Sequence, residues 1–264
     1  MTTTNEPVVQ DTILNDLDPE LATRLTSRRD VIAKTALQLG ALATVPVLLG
    51  GCAARLVSGG MPQQVVDVLN FALTLEYLED EFYRTALSQP RLIPASDRAV
   101  FEQISKHESA HVTLLATVLG FDAVAKPKFD FTAGGTFPDV FSNYRTFSAL
   151  SQAFEDTGVR AYKGQAVYLI GASFILLTAL KIHSVEARHA AEVRRLRGED
   201  AWISGSSRGN LPAAAQPVYA GDGRAAQLGV SSFGVPREAV TEAFDEPLSK
   251  AQVLGIAGMF IASA

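Results

Sequence analysis

Apolar residues recur at helical spacing in four long segments of this chain. Within each segment they fall every three or four positions, with polar residues between them. Prolines and glycines separate the segments, and Gly120 and Gly198 stand where the second and fourth would end. We therefore predict an all-α fold whose main domain, residues 62–198, is a four-helix bundle. The predicted helices run from about Pro62 to Ser88, Ser96 to Leu119, Ser148 to Lys163 and Ala172 to Arg197.

The connection between the second and third predicted helices, residues 120–147, is long for a compact domain. A long crossover at this point would bring the second pair of helices alongside the first. Five phenylalanines lie in or beside it, and we expect them to pack the crossover onto the bundle rather than line a ligand site. They are Phe129, Phe131, Phe137, Phe141 and Phe147.

Two stretches of the second helix pair depart from a regular amphipathic pattern. Gly158 and Gly164 lie inside the third predicted helix, where glycine lowers helix stability. The fourth helix begins with an uncharged apolar run from Gly171 to Leu180. That run is too short to span a membrane, and we predict that it is the buried part of a core helix.

Residues 199–264 form a predicted C-terminal appendage of an extended loop and one short helix. Residues 199–235 are rich in Gly, Ser, Ala and Pro, which is typical of a loop. A turn at residues 244–249 precedes an apolar run from Val253 to Ala264. We expect this run to dock on the bundle as a short helix, and the alternative is a contact in a homo-oligomer.

Residues 1–52 are predicted to be a disordered N-terminus and an export signal rather than part of the fold. Arg28 and Arg29 lie in a segment that resembles a twin-arginine signal, and an apolar run follows. Cys52 ends a Leu-Gly-Gly-Cys sequence that resembles a lipoprotein cleavage box. The alternatives for Cys52 are a small buried thiol or an ordinary signal-peptide residue. A rival topology is an uncleaved membrane anchor formed by the uncharged residues 35–54.

These features predict a protein exported through the twin-arginine machinery to the periplasm or the outer face of a bacterial membrane. There it would be held by a lipid on Cys52 or by the uncleaved anchor. The net charge of −5 argues against a nucleic-acid partner. Cys52 is the only cysteine, so an intrachain disulfide is excluded.

The residues able to bind metal follow the helices in the order Glu, Glu-x-x-His, Glu, Glu-x-x-His. Residues three apart on a helix share a face, so each Glu-x-x-His pair can hold one ion. Apolar neighbours make unpaired carboxylates costly here, whereas two divalent cations would balance four ionised glutamates. We predict a carboxylate-bridged two-metal site in the bundle. Its ligands are Glu76, Glu108, His111, Glu155, Glu186 and His189.

The spacing of these residues indicates a duplicated two-helix unit. Glu76 and Glu108 are 32 positions apart, and Glu155 and Glu186 are 31 positions apart. Each half therefore contributes one lone glutamate and one Glu-x-x-His pair. An accidental match on solvated helix faces would not be expected to repeat in this way.

Three further residues accompany the predicted ligands. Glu79 could replace Glu76, but the corresponding position in the second half is Gly158, so we choose Glu76 and keep Glu79 as a neighbour of the ligands. Tyr83 and Tyr162 each follow their glutamate by seven residues and fall on the same helix face. They are either hydrogen-bond donors or radical relays beside the metals, or simple core tyrosines.

The sequence resembles ferritin-like domain proteins of the kind that includes plant desiccation-related proteins and exported bacterial homologues. The resemblance covers about residues 62–198. It implies a ferritin-like bundle with di-iron or di-manganese ligands at the matching positions, with Glu108 and Glu186 as bridges. The matching motifs are Leu75-Glu76-Tyr77-Leu78-Glu79 with Tyr83, Glu108 with His111, Phe154-Glu155 with Tyr162, and Val185-Glu186-Ala187-Arg188-His189.

The leading functional hypothesis is a redox protein that uses two Fe or Mn ions to act on O₂ or H₂O₂. Such a di-metal oxidoreductase would be a ferroxidase, a peroxidase or a catalase-like enzyme. The alternative is a metal-binding or stress- and desiccation-protective envelope protein without turnover. A third hypothesis is an anchored structural module that has lost its metal. The residues leave the choice between iron and manganese open.

Overall fold

Four long helices form the body of the protein, as seen in a computed structural model that describes residues 60–231 and 234–262. The third helix runs through both of its glycines and begins four residues earlier than predicted. The predicted all-α bundle with a long crossover is confirmed. The helices are α1, Gln63–Ser88; α2, Ala95–Leu119; α3, Tyr144–Ala166; and α4, Ser173–Leu196.

The helices pack as two antiparallel pairs, α1 with α2 and α3 with α4. Tyr83 of α1 contacts Glu155 of α3, and Tyr162 of α3 contacts Glu76 of α1, so α1 and α3 are antiparallel as well. The beginnings of α1 and α4 therefore share one end of the bundle with the ends of α2 and α3. We call it the proximal end, and it comprises residues 60–66, 119–124 and 167–176.

The crossover packs on the bundle through its aromatic residues, as expected. Phe131 and Phe137 of the crossover are buried in the core with Phe147, which lies on α3, and Phe129 and Phe141 are partly buried against it. The ring of Phe82 on α1 gathers this cluster, with ring centroids 5.3 Å from Phe131 and 5.2 Å from Phe147. The phenylalanines thus bury apolar area between crossover and bundle, which is the main driving force for holding a long connection in place.

The C-terminal arm, residues 199–231 and 234–262, contains more regular structure than the predicted loop and single helix. Two short α-helices and a 3₁₀ helix, Gly258–Phe260, end it, and the second α-helix begins with a capping box between Ser249 and Gln252. Its elements are a 3₁₀ helix, Ala213–Tyr219; the antiparallel strands β1, Ala226–Gln227, and β2, Val230–Ser231; α5, Arg237–Ala243; and α6, Lys250–Ala257.

A fully buried arginine on α3 fastens this arm to the bundle. The Arg160 guanidinium donates to the backbone oxygens of Glu246 at 2.6 Å and Ala220 at 2.8 Å, and also to that of Val218. Asp222, 3.5 Å away, compensates its charge. One side chain thereby satisfies carbonyls from two separate stretches of the arm. Because these stretches do not pair in a helix or sheet, their buried carbonyls need such a donor.

Both glycines of α3 lie at close approaches, and the approach at Gly164 requires glycine. A Cβ on Gly164 would lie 2.0 Å from the backbone oxygen of Leu248, so only glycine lets the arm lie this close. A Cβ on Gly158 would lie 3.3 Å from Oε1 of Glu79. Tertiary packing thus outweighs the helix propensity that disfavoured both positions.

The first half of α4 is not the buried core segment that its apolar composition predicted. Ile175 is buried, but Phe174, Leu177 and Leu180 are exposed at 48%, 52% and 45%. The prediction rested on composition alone. In this region α4 packs one face against α3, and the apolar residues on its other faces stay exposed.

Several predictions from the sequence lie outside the described residues. They are the disordered N-terminus, the twin-arginine signal at Arg28 and Arg29, the lipidation site at Cys52 and the anchor over residues 35–54. Within the described part of the chain, no helix is both long and apolar enough to cross a membrane.

Replacing Arg160 with alanine is expected to lower the free energy of unfolding by about 3–5 kcal/mol, because buried carbonyls and Asp222 lose their partner. Urea denaturation followed by circular dichroism measures the change. Arg145→Ala, at an exposed arginine near the start of the same helix, is the matched control and should stay within about 0.5 kcal/mol of wild type. Equal effects of the two substitutions would contradict the fastening role of Arg160.

Candidate metal centre

The six predicted ligands converge at the middle of the bundle. Each helix supplies them from its inward face, so α1 and α3 give one glutamate each while α2 and α4 give one Glu-x-x-His pair each. All four carboxylates are 0% exposed, and the two histidines are 9% and 5% exposed. The ligand atoms form two groups, and within each group all the atoms lie within 4.8 Å of one another.

The first group surrounds Nδ1 of His111. Oxygens of Glu108 and Glu186 each lie 3.0 Å from this nitrogen, and Oε2 of Glu76 lies 3.2 Å from it. Three helices, α1, α2 and α4, therefore contribute to one position. One nitrogen and three oxygens are the donor types that borderline divalent metals such as Mn²⁺ and Fe²⁺ accept.

The second group surrounds Nδ1 of His189 in the same way. Oε1 of Glu108 lies 2.9 Å away, Oε2 of Glu155 lies 3.2 Å away and Oε2 of Glu186 lies 3.4 Å away. Here α3 takes the place that α1 has in the first group. The duplicated unit indicated by the sequence spacing is therefore visible in the arrangement of side chains.

Two glutamates belong to both groups. Glu108 turns Oε2 towards His111 and Oε1 towards His189, and Glu186 turns Oε1 towards His111 and Oε2 towards His189. Glu76 and Glu155 each face one histidine only. The arrangement is that of two terminal and two shared carboxylates around a pair of adjacent positions.

Each terminal glutamate is held by a tyrosine from the opposite unit. Tyr83 donates its hydroxyl proton to Oε1 of Glu155, and Tyr162 donates to Oε1 of Glu76. Burial and the neighbouring carboxylates raise the pKa of both phenols, which keeps them protonated as donors. These bonds leave the other oxygen, Oε2, of each glutamate to face its histidine.

The side chains themselves compensate their charges with protons. Burial opposes a charge on His111, but the three carboxylates around its Nδ1 outweigh this and raise its pKa to about 12. The pKa of His189 is raised in the same way. Burial raises the pKa of Glu155 to about 8. Burial acts in the same direction on Glu186, yet the two histidines lower its pKa to about 2.

This cluster fits a pair of divalent cations. Each Nδ1 faces three carboxylate oxygens but can donate to only one of them. Several buried polar atoms of the described residues therefore lack a well-directed hydrogen bond: Oε1 of Glu108, Oε2 of Glu155, both oxygens of Glu186 and Nδ1 of His189. Leaving such an atom unpaired costs about 1–3 kcal/mol. Ligand atoms bound at about 2.1 Å to one ion and at right angles lie about 3 Å apart, close to the spacing found here. The cluster can therefore bind divalent metal, with its identity undetermined.

Glu79 is a fifth buried carboxylate beside the centre, and it stands outside both ligand groups. It lines a cavity of about 10 Å³ together with Gly158 and with Ile256 of the C-terminal arm. Burial, and then the charges of Glu186 and Glu155, raise the pKa of Glu79 well above its usual value. The glycine at the equivalent place in the second unit is what gives Glu79 room.

His107 is a neighbour of the centre that the sequence did not single out. Its Nδ1 lies 2.8 Å from Nε2 of His189, and the two rings stack 5.1 Å apart. Its Nε2 lies 2.7 Å from the side-chain amide of Gln103, which is exposed. With Nδ1 of His189 bound to a cation, Nε2 of His189 would carry the proton and Nδ1 of His107 would accept it. The proton of His107 then lies on Nε2, and the amide of Gln103 turns its oxygen towards it. Such a partner fixes the tautomer of a ligating histidine.

This support is given to one histidine only. His111 has no equivalent ring partner among the described residues, because the position that corresponds to His107 in the second unit is Val185. The position of His107, directly before the ligand Glu108, was the only signal in the sequence that it lies near the centre. A histidine beside a ligand is nevertheless unremarkable until its contact with His189, 82 positions away, is seen.

A comparison with known protein families matches residues 64–199 to the ferritin-like domain. The match covers slightly more than half of the 264 residues and includes all six clustered ligands. A comparison with curated proteins finds no match.

Metal binding is expected to release protons and to tighten as the pH rises. At about pH 7 His111 and Glu155 carry protons, because their pKa values of about 12 and about 8 lie above that pH. A cation must displace them, and affinity rises about tenfold per pH unit for each proton released. Calorimetric titration with Mn²⁺ in buffers of different protonation enthalpy counts the protons. A constant affinity between about pH 6 and pH 8 would contradict this linkage.

Replacing His107 with phenylalanine is expected to weaken one of two bound ions by about 10–100-fold, because His189 loses the acceptor that fixes its tautomer. His107→Asn keeps an acceptor and should restore part of that affinity. His183→Phe, at the histidine outside the cluster, is the matched control and should leave both affinities unchanged. Titration with Mn²⁺ followed by electron paramagnetic resonance resolves the two ions, and an equal loss at both would argue against a role at His189 alone.

Proposed function

The chain belongs to the ferritin-like domain family, and from that premise we propose that it binds a carboxylate-bridged pair of iron or manganese ions and performs redox chemistry on O₂ or hydrogen peroxide in the cell envelope. One observation carries the proposal: Glu108 and Glu186 each turn one oxygen to either histidine. Sharing of this kind places two cations next to each other. Two adjacent ions can exchange two electrons with a small oxidant, which a single ion does less readily.

The residues of the chain have separate tasks in this reaction. Glu108 and Glu186 would each hold both ions, while His111 and His189 would each add a neutral nitrogen donor to one of them. Tyr83 and Tyr162 hold Glu155 and Glu76 in position and, because burial raises the pKa of both phenols, remain protonated beside the centre. Glu79 is a further buried group beside the centre that can hold a proton, because burial and the neighbouring carboxylates raise its pKa.

The size of the substrate follows from the packing around the centre. The four ligating carboxylates are fully buried, and the described cavity beside Glu79 has a volume of about 10 Å³. This is roughly the space that one water molecule needs. An oxidant of two heavy atoms, such as O₂ or H₂O₂, suits so small a space, whereas an organic substrate would need the arm at Ile256 and Ala257 to move.

The same closure favours the alternative function, in which the protein binds metal without turnover as a stress- or desiccation-protective envelope protein. A centre that exchanges little with solvent would retain its ions and release them slowly. Both functions use the same six ligands, and consumption of oxidant by the metal-loaded protein distinguishes them.

The proposed location rests on the sequence before the described residues. The twin-arginine segment at Arg28 and Arg29 supports export of the folded protein, and Leu-Gly-Gly-Cys at residues 49–52 supports lipidation of Cys52. The protein would then stand on the outer face of a bacterial membrane. Mass spectrometry of the protein from membranes would detect the lipid on Cys52.

Replacing a shared glutamate is expected to affect both ions, and replacing a terminal one mainly a single ion. Glu108→Ala should leave less than one metal per protein, whereas Glu76→Ala should leave about one. Glu102→Ala, at a half-exposed carboxylate on the same helix as Glu108, is the control and should retain the wild-type content. Elemental analysis of the purified proteins gives these values.

Oxygen-electrode measurements after addition of Fe²⁺, or of peroxide to the Mn²⁺ form, then test the activity. Metal-dependent consumption that is lost in Glu108→Ala and kept in Glu102→Ala supports the enzyme. Two bound ions without consumption support the protective alternative. A wild-type protein that binds neither iron nor manganese, and whose melting temperature a chelator leaves unchanged, would contradict both.

A further inference from the structure

The proximal end of the bundle carries a concentration of exposed apolar side chains. Ile170 and Val167 are 69% and 61% exposed, and Phe121 is fully exposed. The side chains come from the turn after α2, the turn after α3 and the beginning of α4. They are Phe121, Val124, Val167, Tyr168, Ile170 and Phe174, and we call them the apolar tip.

Contacts between the helices place these residues together. The side chain of Asn70, near the start of α1, donates to the backbone oxygen of Asp122 and accepts from the backbone N–H of Val124, both at 2.8 Å. The 3₁₀ turn Val167–Leu169, which follows α3, also contacts α1. Both turns therefore lie beside α1 at the proximal end of the bundle.

The chemistry of the apolar tip suits a lipid surface. Residues 164–180 contain no Asp, Glu, Lys or Arg, so the second turn and the beginning of α4 present an uncharged segment. Contiguous exposed apolar side chains at projecting turns mark interaction sites, and aromatic residues favour the membrane interface. No helix of the described chain is suited to cross a bilayer, so the contact would be with its surface.

The short distance along the chain between Cys52 and the bundle indicates which surface covers the proximal end. Cys52 lies eight residues before Gly60, and a chain of that length spans at most about 28 Å. An anchor at Cys52 would therefore keep the proximal end, rather than the opposite end, beside the bilayer. This step rests on the envelope location proposed above and is independent of the metal.

We propose that the proximal end of the bundle docks on the membrane surface, with the apolar tip inserted among the lipid headgroups. The bundle axis then points away from the membrane. The metal centre lies about midway along the helices, and the end of α4 faces outward.

The only tryptophan of the chain offers a built-in control. Trp202 follows the end of α4, and its backbone oxygen accepts a bond from Arg194 at 3.3 Å. Since α4 begins at the proximal end and its 24 residues rise about 36 Å, Trp202 lies near the opposite end of the bundle. It is half exposed and can report on contact with lipid there.

The test uses the full chain in vesicles of phosphatidylethanolamine and phosphatidylglycerol that carry brominated acyl chains. Ile170→Trp is combined with Trp202→Phe, and the wild type reports through Trp202. We expect the fluorescence of the double variant to be quenched several-fold more strongly than that of the wild type. Circular dichroism confirms that the variant keeps its helices.

The other outcomes each contradict the proposal. A protein that co-sediments with the vesicles but shows weak or equal quenching at both positions is tethered without docking, and the proposed location survives. A protein that does not co-sediment at all would contradict both the proposed membrane location and the proposed docking. A blue-shifted emission of the double variant without lipid, together with a dimer in analytical ultracentrifugation, would show that a second copy covers the apolar tip.

Discussion

The burial of four carboxylates at one point is the constraint on which the rest of the structure depends. Each of them is 0% exposed, and each would resist ionisation if it stood alone there. The two histidines compensate part of that charge with protons, and two cations would compensate it fully. Every helix of the bundle contributes to the cluster, so the packing of the helices and the charge balance at their centre are coupled.

The duplicated unit explains the symmetry of the centre, and its departures from symmetry show where the two ion positions differ. Tyr83 and Tyr162 exchange their hydrogen bonds across the halves. Glu79, however, faces Gly158, and His107 corresponds to Val185. Both extra groups, the carboxylate and the imidazole, therefore come from the first unit, and the imidazole contacts only the histidine of the second ion position. The two positions have the same ligand types but different surroundings, which is a basis for unequal affinity and reactivity.

The sequence predicted the helices and the gathering of the six ligands because both depend on local spacing along a helix. What it could not predict depends on contacts between distant residues. Arg160 is one charged residue among many until the carbonyl of Glu246, 86 positions away, is seen against it. Gly164 similarly reflects the approach of Leu248. The apolar start of α4 was expected to be buried because apolar side chains avoid water. Hydrophobicity alone, however, does not reveal which surface covers them.

The C-terminal arm connects the chemistry with the proposed route of export. Ile256 and Ala257 of the arm close the cavity beside Glu79, and Arg160 fixes the arm in that place. A centre covered in this way is filled most readily before the arm has docked, that is, where the chain folds. Manganese and iron bind more weakly than copper or zinc to a given set of nitrogen and oxygen ligands. Export of the folded protein would therefore let the cytoplasm, where the centre closes, determine which metal the protein carries outside.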